Sequence, residues 1–467
     1  MNEWKNYLIK HRDQFINELL EFLRIPSVSG LSEHKRDVMM AAEWVDKRMK
    51  AAGIESVRII PTDGHPVVFG EWLHAAGKPT VLIYGHFDTM PAEPFDLWDN
   101  PPFEPEIRDG RIYARGASDD KGNMFIPLLV AEAMLKTSGI LPVNLKFLFE
   151  GQEEIGSPQL SSFIMTNKDM LACDIVLCAD GGQWEEDQPA LILGTKGLAE
   201  IQIDVQGPDH DLHSGVYGGT IANPIHALAK ILDSMHDEDG RVTIDGFYNK
   251  VRPLTDVERE QIERIPFNEN EYLNKTGAKS LYGEVGFNTY ERSGARPTLE
   301  VNGIIGGFNG EGIKTILPSS ARAKISCRLV PDQNPSEIAD LVLTHVDKVV
   351  PAGVKVQAYK GDGGPANPYL VPASEVGMSI AASVLEDLYN KKPYHVREGG
   401  TIPVNALFLE YLHAYTIVFS FGLQDERQHS PNEFFRLSSF DLGQIAYGIL
   451  LNRLGKELTK EGVREQK

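Results

Sequence analysis

Apolar and polar positions follow two rhythms along this chain. Near the start, Trp4, Leu8, Phe15, Leu19, Leu20, Phe22 and Leu23 recur at helical spacing with charges between them, which predicts an amphipathic helix stopped near Pro26. A second helix is expected from about Glu33 to Ala52, ended by Gly53. Strand-like segments then alternate with helices: SVRIIP, PVVFGEWL, PTVLIYGH, a helix over about 123–138, VNLKFLFE and DIVLCAD. Several of these strands are continuous apolar runs, the pattern of a sheet covered on both faces, so an α/β layer architecture is predicted.

Beyond Thr195-Lys196-Gly197 the rhythm changes. LAEIQIDVQG alternates apolar and polar, as a half-exposed antiparallel strand does. A helix over about 221–235 follows, then a polar, Pro-punctuated region at 237–297. TLEVNGIIGG, ARAKISCRLV, a helix over about 335–350 and VKVQAY come next. Strand, helix, two strands, helix, strand is the order of a ferredoxin-like α+β unit. After a Gly/Pro-rich linker at 361–372 the α/β texture resumes, with a helix over about 374–389, the strand YTIVFSFG and a helix over about 438–454. The expected organisation is an α/β domain over 1–195 and 366–467, interrupted by an inserted ferredoxin-like domain over 196–365.

Composition narrows the function classes. A chain of 467 residues suits two domains, and 42% hydrophobic with 24% charged residues is ordinary for a globular protein. The net charge of −20 argues against nucleic acid or an anionic membrane surface as a partner. Three cysteines (Cys173, Cys178, Cys327) do not make a disulfide framework, so a reducing cytoplasm is the expected location. The first helix is no signal-peptide core, and no apolar stretch approaches the roughly 20 residues that span a bilayer.

Candidate chemistry sits where apolar strands stop. VLIY ends in Gly85-His86-Phe87-Asp88, with His86 and Asp88 at a spacing that lets the carboxylate hold the imidazole's second nitrogen. A second polar cluster, Ser118-Asp119-Asp120-Lys121-Gly122, follows an acid- and Pro-rich loop. VNLKFLFE runs into Gly151-Gln152-Glu153-Glu154, and DIVLCA into Asp180. Each cluster alone reads as a turn or an acidic helix start. Together they place imidazole and carboxylates at the carboxyl ends of several strands, the edge where open α/β sheets bind ligands. His429 in QHSPNE supplies a late member. Two histidines and three carboxylates, with two further carboxylates nearby, suit a pair of divalent ions bridged by one carboxylate. A free glutamate beside a ligand glutamate is then a natural proton shuttle, which explains the Glu153-Glu154 adjacency. In the insert, His213 in DLHSGVYGG follows a strand and precedes a helix, a placement from which a histidine can stabilise an oxyanion over the site.

GHFDTMP, GASDDKG, GQEEIGS, the Asp180 turn, DLHSGVYGG, KTILP, CRLVP, REGGTIP and QHSPNE occur in an order that resembles the di-metal aminoacylase/carnosinase metallopeptidase family. The likeness is greatest to its carnosinase-like, cytosolic nonspecific dipeptidase branch. It implies a mixed-sheet α/β di-metal catalytic domain with an inserted lid and dimerisation domain. It also implies that His86, Asp119 and Asp180 hold one metal and Asp119, Glu154 and His429 the other, with Asp119 bridging. Asp88 would orient His86, and Glu153 would be the general base. His213 would reach into the partner subunit's site, and Thr315 would be offered across the same dimer. Arg328 would bind the substrate carboxylate through its planar fork, with Gly400 and Thr401 contacting the substrate backbone. A cis peptide is expected between Asp119 and Asp120. The implied activity is hydrolysis of dipeptides or short peptides, by a hydroxide bridging two Zn²⁺ or Mn²⁺ ions per subunit, with Co²⁺ also suited. An N-acyl amino-acid deacylase or desuccinylase with the same ions is the alternative. One departure concerns Gly364-Pro365-Ala366-Asn367-Pro368, where carnosinase-like members tend to carry a His-rich segment; this puts β-alanyl-histidine specificity in doubt.

Overall fold

A computed structural model describes residues 3–361 and 364–458, so Asp362 and Gly363 of the expected linker lie outside the described residues. The single first helix resolves into α1 (Glu3–Lys10) and α2 (Arg12–Leu23). Between them His11 leaves the helical region and turns its ring nitrogen onto the Tyr7 carbonyl, 2.8 Å away. Next come α3 (Lys35–Ala52), β1 (Glu55–Ile60), β2 (Val67–Trp72), β3 (Thr80–His86), α4 (Gly122–Ser138), β4 (Asn144–Glu150) and β5 (Ile175–Cys178). The chain continues through β6 (Gly197–Gln206), α5 (Pro224–Asp233), β7 (Thr298–Gly306), β8 (Ser320–Leu329), α6 (Pro335–Val349) and β9 (Lys355–Lys360). It closes with α7 (Val376–Tyr389), β10 (Thr416–Val418) and α8 (Leu437–Glu457).

Two compact units result. One spans Met1–Leu193, Val371–His395 and Leu407–Lys467; the other spans Gly194–Leu370 and Val396–Ala406. The second is thus larger than the 196–365 read from texture, and it takes residues 396–406 out of the resumed α/β segment. Polar bonds explain the capture of that segment: Arg397 pairs with Glu258, and Lys196 N–H donates to Gly400 O at 2.8 Å. A polar loop has no apolar period from which such an attachment can be read.

In the first unit the sheet runs β1-β2-β4-β3-β5-β10. β3, β4, β5 and β10 are parallel and β2 pairs antiparallel with β4, so the sheet is mixed. Every residue of β4 and nearly all of β3 is buried, which is why these strands read as unbroken apolar runs. Residues 122–134 of α4 are buried all round, as befits a helix enclosed on every side. β4 and β5 flank β3 on opposite sides, and this reversal opens a crevice at the carboxyl end of β3.

In the second unit β7-β8-β6-β9 is an antiparallel sheet, the strand order of a ferredoxin-like fold. α5 and α6 pack on one face, burying Ile201, Ile203, Val205, Ile231, Ile325 and Val342. The region 237–297, which showed only polar, Pro-punctuated sequence, carries three short helices: Asp256–Glu263, Glu269–Thr276 and Thr289–Ala295.

Candidate metal centre

Register fixes the first unit's polar residues at one edge. His86 sits opposite Glu150 and Tyr84 opposite Cys178, so β3, β4 and β5 release their chains side by side. Gly85 is required there: a Cβ would lie 2.7 Å from Asp120 Oδ2 and 2.8 Å from Met124 Cβ, where the 119–120 turn crosses the strand end. The peptide between Asp119 and Asp120 is cis.

Asp119 is the hinge of the geometry. Its Oδ1 stands 3.0 Å from His86 Nε2, and its Oδ2 stands 2.9 Å from His429 Nε2. Glu154 Oε2 is 3.0 Å from that same His429 nitrogen. Two groups of donor atoms follow, His86/Asp119/Asp180 and Asp119/Glu154/His429, the atoms of each lying within 4.8 Å of one another. Ligand atoms around an ion at about 2 Å are spaced about 3 to 4 Å apart, so each group could hold a divalent cation after a small closure of its donors. His429 itself has φ of 60°, a left-handed conformation uncommon for a non-glycine residue and of the kind held at functional sites.

Asp88 does more than face the imidazole. His86 Nδ1 lies 3.3 Å from Asp88 Oδ1 and 3.2 Å from the Asp88 carbonyl. Asp88 Oδ1 and Oδ2 also accept the backbone N–H groups of Glu153 and Glu154, each at 3.1 Å. One buried carboxylate therefore orients the ring and seats both glutamates. Sequence spacing pointed only to the ring.

Electrostatics describe a site short of positive charge. Burial, reinforced by Asp119, pushes Asp180 up to about 6. Burial also lifts Glu154 to about 7, against a hydrogen bond from His429. Glu153 goes well above its usual range through burial, with the charges of Asp180, Glu154 and Asp119 adding to the shift. Hydrogen bonds to Asp119 and Glu154 raise His429 to about 10. For His86, burial disfavours the cation, yet hydrogen bonds to Asp119 and Asp88 leave it well above its ordinary value. Such an excess of carboxylates over imidazoles, aimed at two adjoining points, is the donor set of a cation pair.

The insert's candidates fall into two groups. His213 pairs across a short ladder with Ile316, and Ser214 N–H donates to Thr315 O, so His213 and Thr315 are neighbours. His213 is exposed, and its Nδ1 accepts Gly215 N–H at 3.0 Å. Arg328 donates from Nη1 to Thr401 Oγ1 at 2.8 Å, with Gly400 held by Lys196. These groups lie at opposite ends of the sheet. Arg328 pairs with Leu198 near the start of β6, whereas His213 follows its far end. The eight steps of extended strand from Ser320 to Arg328 span about 27 Å.

An α/β sheet edge with two adjoining imidazole–carboxylate clusters, in a chain carrying a ferredoxin-like insert, has the donor set of a metal-dependent hydrolase. The model of peptidase family M20/M25/M40 matches residues 82–453, and this chain belongs to that family. A Cys-Gly metallodipeptidase DUG1 from Candida albicans is 31% identical over 95% of each chain. A Beta-Ala-His dipeptidase from Mus musculus is 28% identical, over 97% of this chain and 95% of its own. Among solved structures, an M20 family metallo-carboxypeptidase, Sso-CP2 from Sulfolobus solfataricus, superposes with a TM-score of 0.83 at 31% identity, covering 94% of this chain and 99% of that one. These relatives share a reaction and differ in substrate.

Proposed function

We propose that this chain is a two-metal dipeptidase in which Asp119 bridges the ions. The carrying observation is that the two oxygens of Asp119 face the two clusters separately, Oδ1 toward His86 and Oδ2 toward His429. His86 and Asp180 would complete one site, Glu154 and His429 the other. When bound, the ions would supply Lewis-acid polarisation of the scissile carbonyl and lower the pKa of a bound water toward neutral. Glu153, seated by Asp88 yet outside both donor groups, is placed to take the proton of the attacking water and return it to the leaving amine. Arg328, with Thr401 and Gly400 beside it, would hold the substrate's carboxylate.

The active assembly we infer is a homodimer through the insert. The separation of His213 from Arg328 along one sheet supports this, because a single substrate cannot bridge it and a second copy can. The sheet's edges also differ. β9 is guarded by Lys355 and Lys360, whereas β7 leaves Val301, Ile304 and Ile305 at 41%, 59% and 56% exposure. A reducing cytoplasm remains part of the proposal, supported by the burial of Cys173, Cys178 and Cys327. No helix of the described residues is long and apolar enough to cross a membrane.

Substrate preference is read from the wall beside Arg328. Ala366 bridges Leu198, the strand partner of Arg328, so this place carries a methyl group and no imidazole. We therefore favour small or unselective dipeptides over β-alanyl-histidine. The test uses enzyme stripped by chelator and reloaded with Zn²⁺, Mn²⁺ or Co²⁺, on Cys-Gly, β-Ala-His, an alanyl dipeptide and an N-acetyl amino acid. Loss in chelator and recovery with metal on dipeptides is expected, with Glu153→Gln keeping its metal while losing about 10²–10⁴-fold in kcat. Preferential cleavage of the N-acetyl amino acid would make the protein a deacylase instead. Activity untouched by chelator would end the metal reading.

A further inference from the structure

Glu433 is fully buried and takes no part in either donor group, yet its carboxylate accepts four hydrogen bonds. Oε1 accepts from Ser118 N–H at 3.0 Å and Asp119 N–H at 3.1 Å. Oε2 accepts from Gly116 N–H at 3.0 Å and from Arg115 Nη1 at 2.7 Å. Arg115 is itself fully buried, lies over the Trp98 ring, and donates from Nη2 to Pro91 O at 3.1 Å. This ion pair therefore joins three segments: the one leaving His86 and Asp88, the one bearing Asp119, and the one bearing His429.

Stability is a weak reason for such a pair. Removing two charges from water offsets most of their attraction, and well-packed apolar side chains would serve at least as well. What apolar groups cannot do is gather three backbone N–H groups around one point. A carboxylate, an acceptor with no hydrogens, can. The peptide plane entering Asp119 is thereby fixed, and with it the direction in which Asp119 projects.

We propose that Glu433 is a positioning residue for the metal centre, holding the 115–119 turn so that the two oxygens of Asp119 face His86 and His429 at the same time. The proposal rests on the di-metal reading above. The turn has other anchors, since Ser118 Oγ donates to Glu426 Oε2 at 2.7 Å and Asn123 Nδ2 to Ser118 O at 2.8 Å. Loss of Glu433 should thus misdirect Asp119 without dissolving the loop. Glu433→Gln is the sharp variant: it keeps the shape and puts an amide N–H₂ against groups that are themselves donors.

The experiment titrates full-length, chelator-stripped protein with Co²⁺, following the visible absorption band of the bound ion. Wild type should take up two ions. In Glu433→Gln at least one should bind about 10- to 100-fold more weakly, as when other groups that orient ligands are removed. Its band should change, and at saturating Co²⁺ kcat should fall while KM stays within about threefold. Unchanged binding and an unchanged band, with only a lower melting temperature, would make Glu433 structural and overturn the proposal. Should Glu433→Gln fail to fold, Glu433→Asp is judged by the same criteria. Hydrogen exchange on wild type adds a variant-free check: Gly116, Ser118 and Asp119 amides exchanging like open-loop amides would also overturn it. A wild type that binds no Co²⁺ would instead sink the di-metal reading itself.

Discussion

Lys196 holds its ammonium at 2% exposure, donating to Arg292 O at 3.0 Å, beside the Arg328 guanidinium. Burial, with Arg328 adding to it, lowers this lysine to about 7 from 10.5. Between those values the unfolded chain holds a proton that the folded chain has released, so folding becomes less favourable as pH falls through the window. Lys196→Met abolishes that dependence. Its stability relative to wild type should therefore rise from about pH 9.5 down to about pH 7.5, by at most about 1.4 kcal/mol per pH unit. Urea unfolding at both pH values measures it, and a difference flat with pH would show that Lys196 titrates normally. His86, Glu154 and Asp180 were legible as candidates because a polar group closing a buried apolar run stands out, whereas Asp119, set in a polar loop, drew its bridging role from the family resemblance. Arg115 and Glu433 were not legible. They bond main-chain groups and each other across more than 300 positions, and such bonds leave no spacing to read.

Helices and strands differ in the same way. The long apolar runs announced β3, β4 and β5, because sheets buried on both faces must be apolar throughout. The helix Asp256–Glu263 hides, since only Ile262 in it is buried and no apolar stripe exists. Its capping box, Thr255 with Glu258, was the sole local signal. YTIVFSFG looked like one strand, but only Thr416–Val418 joins the main sheet, and Gly422–Leu423 pairs elsewhere with Gly182–Gln183. Packing between α1 and α8 offers a test at this scale. A Cβ on Gly448 would fall 2.2 Å from Trp4 Cη2, so α1 can dock only against a bare backbone there. Gly448→Ala should destabilise by about 1–3 kcal/mol, read by thermal or urea unfolding. In a Trp4→Leu background the cost should shrink, because the two positions share one space.

At the scale of the molecule, the insert raises the question of how many chains make one active site. If His213 serves the partner's metal centre, two inactive variants should rescue each other. Mixing His213→Ala with Glu153→Gln puts an intact Glu153 and a donated His213 together in one site of each heterodimer. Random pairing should then return about a quarter of wild-type activity. No return, with heterodimers verified by mass, would place His213 in its own chain's site or outside catalysis.

The main sheet seats β5 beside β10, although residues 179–415, the whole insert among them, separate the two in sequence. Chain order is also the order of synthesis. A growing polypeptide assembles β1 to β5 and their acidic turns first, then must make and fold an entire second unit before the neighbouring strand exists. His429, the imidazole that stands between Asp119 and Glu154, follows that strand. The nascent chain therefore carries a cluster of mutually repelling carboxylates with one histidine of the pair missing. If His429 is the ligand proposed above, competence to hydrolyse a peptide bond would arrive only after the strand next to β5 has been delivered, and a half-made chain would be chemically silent by the order of its own parts.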